Sequence, residues 1–156
     1  MTSRTLMTAT LLALVASTTQ AADYKVSQTL QVDAKITDVW HKIGDFCDID
    51  DWHPDITTCA LKVVDGRLHR VVSMQDGSKI SEQRIAAEQG LSYTYKINTS
   101  PLPIDSYTAT LAVEPLNGTQ ITWSARFSSD DASMEAMVQK LIVTGLASIE
   151  NKLATH

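Results

Sequence analysis

The sequence predicts an α+β domain of helix-grip type, a seven-stranded curved antiparallel sheet wrapped around one long C-terminal helix. Three observations carry that prediction. A period-two strand pattern opens the mature chain and is followed by a short helical pattern. Six further strand-like runs come next without a linker or repeat. A single long amphipathic segment closes the chain, and it alone is long enough to cover the sheet.

In the first strand Tyr24, Val26, Leu30 and Val32 alternate with Lys25, Ser27, Thr29 and Gln31. Ile36, Val39, Trp40 and Ile43 then recur at helical spacing, and Gly44 helps end this short helical insertion. The six strands fall at roughly 57–65, 67–74, 79–87, 91–98, 106–114 and 119–127. The last three alternate cleanly. Tyr93, Tyr95 and Ile97 share a face, as do Tyr107, Ala109, Leu111 and Val113, and Ile121, Trp123, Ala125 and Phe127. Threonines, Lys96, Ser124 and Arg126 occupy the other face, so one side is dry and the other wet, as in an antiparallel sheet covered once. Asn117-Gly118 is a hairpin turn signal; the Asn-Gly-Thr sequon it completes is read as that turn. In the final helix, about 132–153, Met134, Met137, Val138, Leu141, Gly145 and Ile149 form the apolar face. Ser129, Asp130 and Asp131 supply its N-cap.

Residues 1–21 have the pattern of a secretory signal peptide: Arg4, then an apolar run from Leu6 to Ala16, then small residues ending at Ala21. That run is shorter than the ~20 residues that span a bilayer. The expectation is export to the periplasm, cleavage near Ala21, and one domain over 22–156 without stable membrane insertion. The full chain carries a net charge of −5, and the leader holds only Arg4, so the mature domain is more acidic still. With no basic cluster, nucleic acid is excluded as a partner. Cys47 and Cys59, an even pair in an oxidising compartment, are candidates for a disulfide; two buried free thiols are the alternative.

The hairpin 67–87 holds the candidate site. Its Asp76-Gly77 turn allows a two-residue loop or a three-residue loop with a glycine bulge, and the two registers put opposite residues on the dry face. The apolar partition favours the bulge, which pairs Val72 with Ile80 and Arg70 with Glu82. Arg70, Glu82, Val72 and Met74 then face inward, and Ser73, Lys79, His69, Gln83, Val71 and Ser81 outward. A charged pair in an apolar hollow is either a register-fixing ion pair or a polar anchor for a ligand. Tyr93, Tyr95, Tyr107 and Trp123 share that side, and Met137 and Leu141 approach it from the helix. His53, in Trp52-His53-Pro54, follows Asp48, Asp50 and Asp51, but no second spaced histidine or cysteine makes a metal site. There is no phosphate loop or nucleophile elbow, and no cofactor is expected.

The order of elements, with "VWHKIGDFCDIDDWHPDI", "HRVVSMQDGSKISEQRI", "YTYKINTSPLPIDSYTATLAVEP" and "ITWSARF", resembles the START-like SRPBCC superfamily, most of all its polyketide cyclase/dehydrase-like branch. Among exported members of similar size the chain resembles the MxaD-like methanol-oxidation accessory group. The resemblance implies a hydrophobic cavity between sheet and C-terminal helix that holds a small apolar or amphipathic molecule. It also implies mouth loops around Gly77 and around Pro101, Leu102 and Pro103, and it places His53 where related plant hormone receptors carry an anchoring lysine. The leading expectation is a periplasmic binding protein. The alternatives are a cyclase, dehydratase or isomerase using the same cavity, and an accessory partner of a periplasmic redox protein.

Overall fold

The computed structural model describes residues 21–154; the expected leader therefore lies, but for Ala21, outside the described residues. The elements run β1 (Ala22–Val32), α1 (Ile36–Ile43), α2 (Ile49–Trp52), β2 (Ile56–Val64), β3 (Arg67–Met74), β4 (Lys79–Glu88), β5 (Ser92–Thr99), β6 (Asp105–Glu114), β7 (Thr119–Ser129) and α3 (Ser133–Ala154). The seven strands form one antiparallel sheet in the order β1-β7-β6-β5-β4-β3-β2. Consecutive strands are neighbours from β2 through β7, and β1 closes the other edge along β7 from Ala22↔Ser129 to Val32↔Thr119. This is the helix-grip arrangement expected, with the helical insertion after β1 divided into α1 and the four-residue α2.

The dry face is the one the alternation predicted. Tyr93, Tyr95, Tyr107, Ala109, Leu111, Val113, Ile121, Trp123, Ala125 and Phe127 are all buried. They meet Val39, Ile43, Phe46, Ile49 and Trp52 from the helical insertion, and Met134, Val138, Ile142, Leu146 and Ile149 from α3. Gln83 departs from the prediction: it is buried on the outer face, where β4 runs between His69 of β3 and Lys96 of β5, both half-buried.

Two turns fix the registers. Asn117 and Gly118 both have positive φ, 49° and 99°, and a Cβ at Gly118 would lie 2.4 Å from the Val32 carbonyl oxygen, so glycine is required there. At the β3–β4 turn Gly77 has φ +85°, its N–H donates to the Met74 carbonyl at 3.0 Å, and the Met74 N–H donates to the Ser78 carbonyl at 2.8 Å. That is the three-residue loop with a glycine bulge. Its register pairs Arg70 with Glu82 and Val72 with Ile80.

Cys47 and Cys59 form a disulfide, with Cα atoms 5.5 Å apart. It ties the segment between α1 and α2 to β2. A hydrogen bond from the Cys59 N–H to the Asp50 carboxylate, at 2.8 Å, ties α2 to the same strand. Among the described residues no helix is long and apolar enough to cross a membrane.

Candidate functional site

α3 packs on β1 and β7 and parts from the sheet where it faces β3, β4, β5 and β6, leaving an inner cavity of about 50 Å³. Its wall is apolar: Ile49, Ile56, Val72, Met74, Ile80, Ile97, Leu102, Ile104, Val138 and Leu141. Four side chains on it carry polar atoms, Glu82, Tyr95, Tyr107 and Trp123. A groove of about 500 Å³ adjoins it outside, lined by Asp55, Met74, Gln75, Asp76, Ser78, Ile80, Pro101, Leu102, Met137, Lys140 and Leu141. Met74, Ile80, Leu102 and Leu141 line both spaces and so form the partition between them. The inner space holds no more than a few waters; anything larger must lie partly in the groove.

A second depression, about 540 Å³, lies on the other side of the β5–β6 connection. Its walls include Asn98, Thr99, Ser100, Asp105, Ser106 and Asp130. We assign the site to the inner cavity and its groove, because there an apolar wall surrounds a few convergent polar groups.

The alternation of β3 and β4 aims Arg70 and Glu82 at the same interior, but they do not occupy equivalent places. Arg70 has no exposed surface. Its Nε donates to Glu82 Oε2 and its Nη1 donates to the Phe46 carbonyl at 2.5 Å. Its guanidinium carbon lies 4.2 Å from the Phe46 ring centroid and 4.8 Å from that of Tyr95, within cation–π range of both. Nη2 is buried with no partner among the described residues. Phe46 thus seals Arg70 with ring and carbonyl, and the neighbouring Cys47 bridge holds Phe46 there. Glu82 stands in front, on the cavity wall.

Burial acts against the Arg70 charge, but Glu82, then Tyr93 and Tyr95, outweigh it and hold the guanidinium protonated. Burial pushes the Glu82 carboxyl up from its ordinary range, with Arg70 opposing that push. The phenols of Tyr93, Tyr95 and Tyr107 are also raised, chiefly by burial, and stay protonated at neutral pH. Trp123 Nε1 donates to the Tyr95 hydroxyl oxygen at 3.2 Å, and the Tyr95 O–H has the Tyr107 hydroxyl as its own hydrogen-bond partner.

Of the residues singled out in the sequence, Val72, Met74, Glu82, Tyr95, Tyr107, Trp123 and Leu141 line the cavity. Four do not. Arg70 lies behind the wall, as above. Tyr93 packs on Phe46 and Trp40, one layer from the cavity. Met137 is 43% exposed and reaches only the outer groove, because α3 turns Met134, Val138, Ile142, Leu146 and Ile149 inward. His53 is buried between Trp52 and Trp123 with both ring nitrogens engaged. Its Nε2 donates to the Leu141 carbonyl at 3.1 Å, and its Nδ1 accepts the Asp55 N–H at 3.2 Å. Nothing remains on that ring for a ligand; His53 ties the α2–β2 connection to α3.

At the mouth, Pro101 and Leu102 line the groove, Gly77 sits at its turn, and Pro103 faces the second depression. The missed wall residues are Ile49, Ile56, Ile80, Ile97, Ile104 and Val138, Ile80 being expected on the dry face but not in the site. Ile97 and Val138 already lay on predicted dry faces, whereas Ile104 sits in a connection with no periodicity to read. Among the described residues no group of three or more His, Cys, Asp or Glu is placed to hold a metal ion.

A sequence search among curated proteins finds no match. Among solved structures the chain is similar to protein XoxI from Bacillus cereus, at 25% identity and a TM-score of 0.71, over 86% of this chain and 99% of that one. It is similar to an uncharacterised protein from Bacillus thuringiensis at 27% identity and a TM-score of 0.69, over 84% and 98%. The Zhui aromatase/cyclase from a Streptomyces species shares the fold, at 13% identity and a TM-score of 0.69, over 84% and 93%. The family model for polyketide cyclase/dehydrase and lipid transport proteins matches residues 23–154. The chain belongs to that family.

Proposed function

We propose that the protein is an exported, periplasmic carrier that holds a small apolar or amphipathic molecule with its polar end in the inner cavity and its apolar part in the adjoining groove. The observation that supports this reading above the others is the shared partition. Met74, Ile80, Leu102 and Leu141 belong to both spaces, so displacing these four side chains, three of them methionine or leucine, joins about 50 Å³ to about 500 Å³. Export rests on the leader-like first 21 residues and the bridged cysteine pair. Holding is favoured over turnover because the cavity offers a carboxylate already engaged by Arg70 and two phenols that burial keeps protonated. No further group orients any of them as a base toward the cavity among the described residues.

Titration with the neutral fluorophore N-phenyl-1-naphthylamine tests the reading. Blue-shifted, saturable fluorescence at one site per chain is expected, with a rise in Tm at saturating probe. Leu102→Arg places a charge at the half-exposed partition and is expected to abolish the signal while the fold remains. No enhancement by folded protein, or undiminished binding by Leu102→Arg, refutes the carrier reading.

A further inference from the structure

We infer that the site selects a ligand whose buried end is a neutral hydroxyl, an alcohol or phenol, that donates to Glu82. This rests on the carrier reading and goes on to name the ligand's head group.

Among the described residues Glu82 is the one charged side chain on the wall of the inner cavity. Its cationic partner is out of a ligand's reach, because Arg70 is fully buried behind it, beneath the Phe46 ring and bonded to the Phe46 carbonyl. A ligand entering from the groove therefore meets a carboxylate and not a guanidinium. Arg70 engages Oε2; Oε1 receives no hydrogen bond among the described residues and is not one of the atoms buried without a partner, so it keeps accessible surface on the cavity wall. A carboxylate oxygen that opens onto an apolar cavity calls for a donor there.

Net charge decides which donor. Arg70 and Glu82 neutralise each other, so a hydroxyl head leaves the buried group neutral. A carboxylate head adds one uncompensated negative charge beside another carboxylate, and an ammonium head adds one uncompensated positive charge to a cluster that already holds a sealed guanidinium. A hydroxyl also accepts, and the Tyr107 phenol, itself hydrogen-bonded by Tyr95, is the wall donor available to it. Glu82 and Tyr107 together match both functions of an O–H group.

The test is competition against N-phenyl-1-naphthylamine at pH 8 by four ligands of one chain length: decan-1-ol, decanoate, decylamine and decyl methyl ether. The ether carries the decision, since any apolar cavity disfavours a free carboxylate or ammonium. Decanol is expected to bind roughly ten- to a hundredfold more tightly than the ether, the worth of one hydrogen bond to a charged acceptor. It should also exceed decanoate and decylamine. In Glu82→Gln the sealed Arg70 charge loses its partner, so decanoate is expected to gain on decanol. The wild-type series stands without that variant should it fail to fold. Equal binding of alcohol and ether, or decanoate binding as well as decanol, overturns the head-group assignment and leaves the carrier reading intact. Failure of all four ligands and of the fluorophore overturns both.

Discussion

Gly145 sets how closely α3 approaches the sheet, and replacing it with alanine puts two opposing effects of known size against each other. In an isolated helix the substitution stabilises by about 1 kcal/mol, since glycine is the poorer helix former. Here a Cβ would lie 2.7 Å from Cζ3 of Trp123, 2.8 Å from Cδ2 of His53 and 3.1 Å from Cζ3 of Trp52. Comfortable carbon–carbon contact is about 3.5–4.0 Å. All three neighbours are ring atoms of buried residues, so none can swing away as the end of a flexible chain could. Overpacking of this kind costs about 1–3 kcal/mol, and three simultaneous ring contacts place Gly145→Ala at the upper end. The helix preference offsets about 1 of that, leaving a net loss of roughly 2 kcal/mol. Urea denaturation followed by tryptophan fluorescence measures it, with near-ultraviolet circular dichroism reporting on Trp52 and Trp123 directly. Ala147→Gly, on the exposed side of the same helix, gives the propensity alone and is expected to cost about 1 kcal/mol. A Gly145→Ala protein as stable as the parent, with an unchanged aromatic spectrum, would refute the reasoning.

His53 makes stability depend on pH. Burial lowers its pKa, against the Leu141 carbonyl and Asp55 and with the help of Arg70. Below about pH 6.5 the unfolded chain takes up a proton that the folded ring resists, so this contribution falls as the pH falls, by up to about 1.4 kcal/mol per unit. His53→Gln, which keeps a donor near the Leu141 carbonyl, should therefore close part of its stability gap to the parent between pH 7.5 and 5; a gap constant across that range contradicts the assignment. The Cys47–Cys59 bridge spans a sequence separation of 12, for which loop entropy gives about 3 kcal/mol. Cys47→Ala/Cys59→Ala is expected to lose about that much in urea, and a reductant should change the parent alone. Two titratable thiols per denatured, unreduced parent chain would show that the bridge is not there.

The strands and their partners were legible because one face is buried and a one-residue slip would expose it. Tyr93, Tyr95, Tyr107 and Trp123 could share only one side, and the same logic chose the bulged turn that sets Arg70 opposite Glu82. The phase of α3 was less so. Apolar residues larger than alanine occur at 134, 137, 138, 141, 142, 143, 146, 149 and 153, a stripe wide enough to admit more than one seam. Spacing alone puts Met137 inward, yet the approach of α3 at Gly145 turns it to the groove. Periodicity tells that a helix has a buried face; the contact that brings the backbone closest decides which residues lie at its centre.

The polar part of the site shows a limit of another kind. Register places two side chains on one side of a sheet, but not at one depth. Arg70 and Glu82 are directly paired, and from the sequence either could have met a ligand first. Their order is settled by Phe46, which is 24 residues away from Arg70 in the chain and carries no motif. Its carbonyl takes one guanidinium nitrogen, its ring covers the plane, and the adjacent Cys47 fixes both to β2. A buried charge pair whose cation is so covered still costs desolvation. Arg70, out of a ligand's reach, offsets the charge of the carboxylate that faces the cavity. Glu82 is thereby kept as an acceptor in a mostly apolar wall, where an unpaired carboxylate would instead take up a proton. The same argument gives His53 its place: a ring with both nitrogens committed to backbone groups positions α3 over the cavity. Specificity in this fold then depends less on which polar residues point inward than on which of them the helical insertion has already covered.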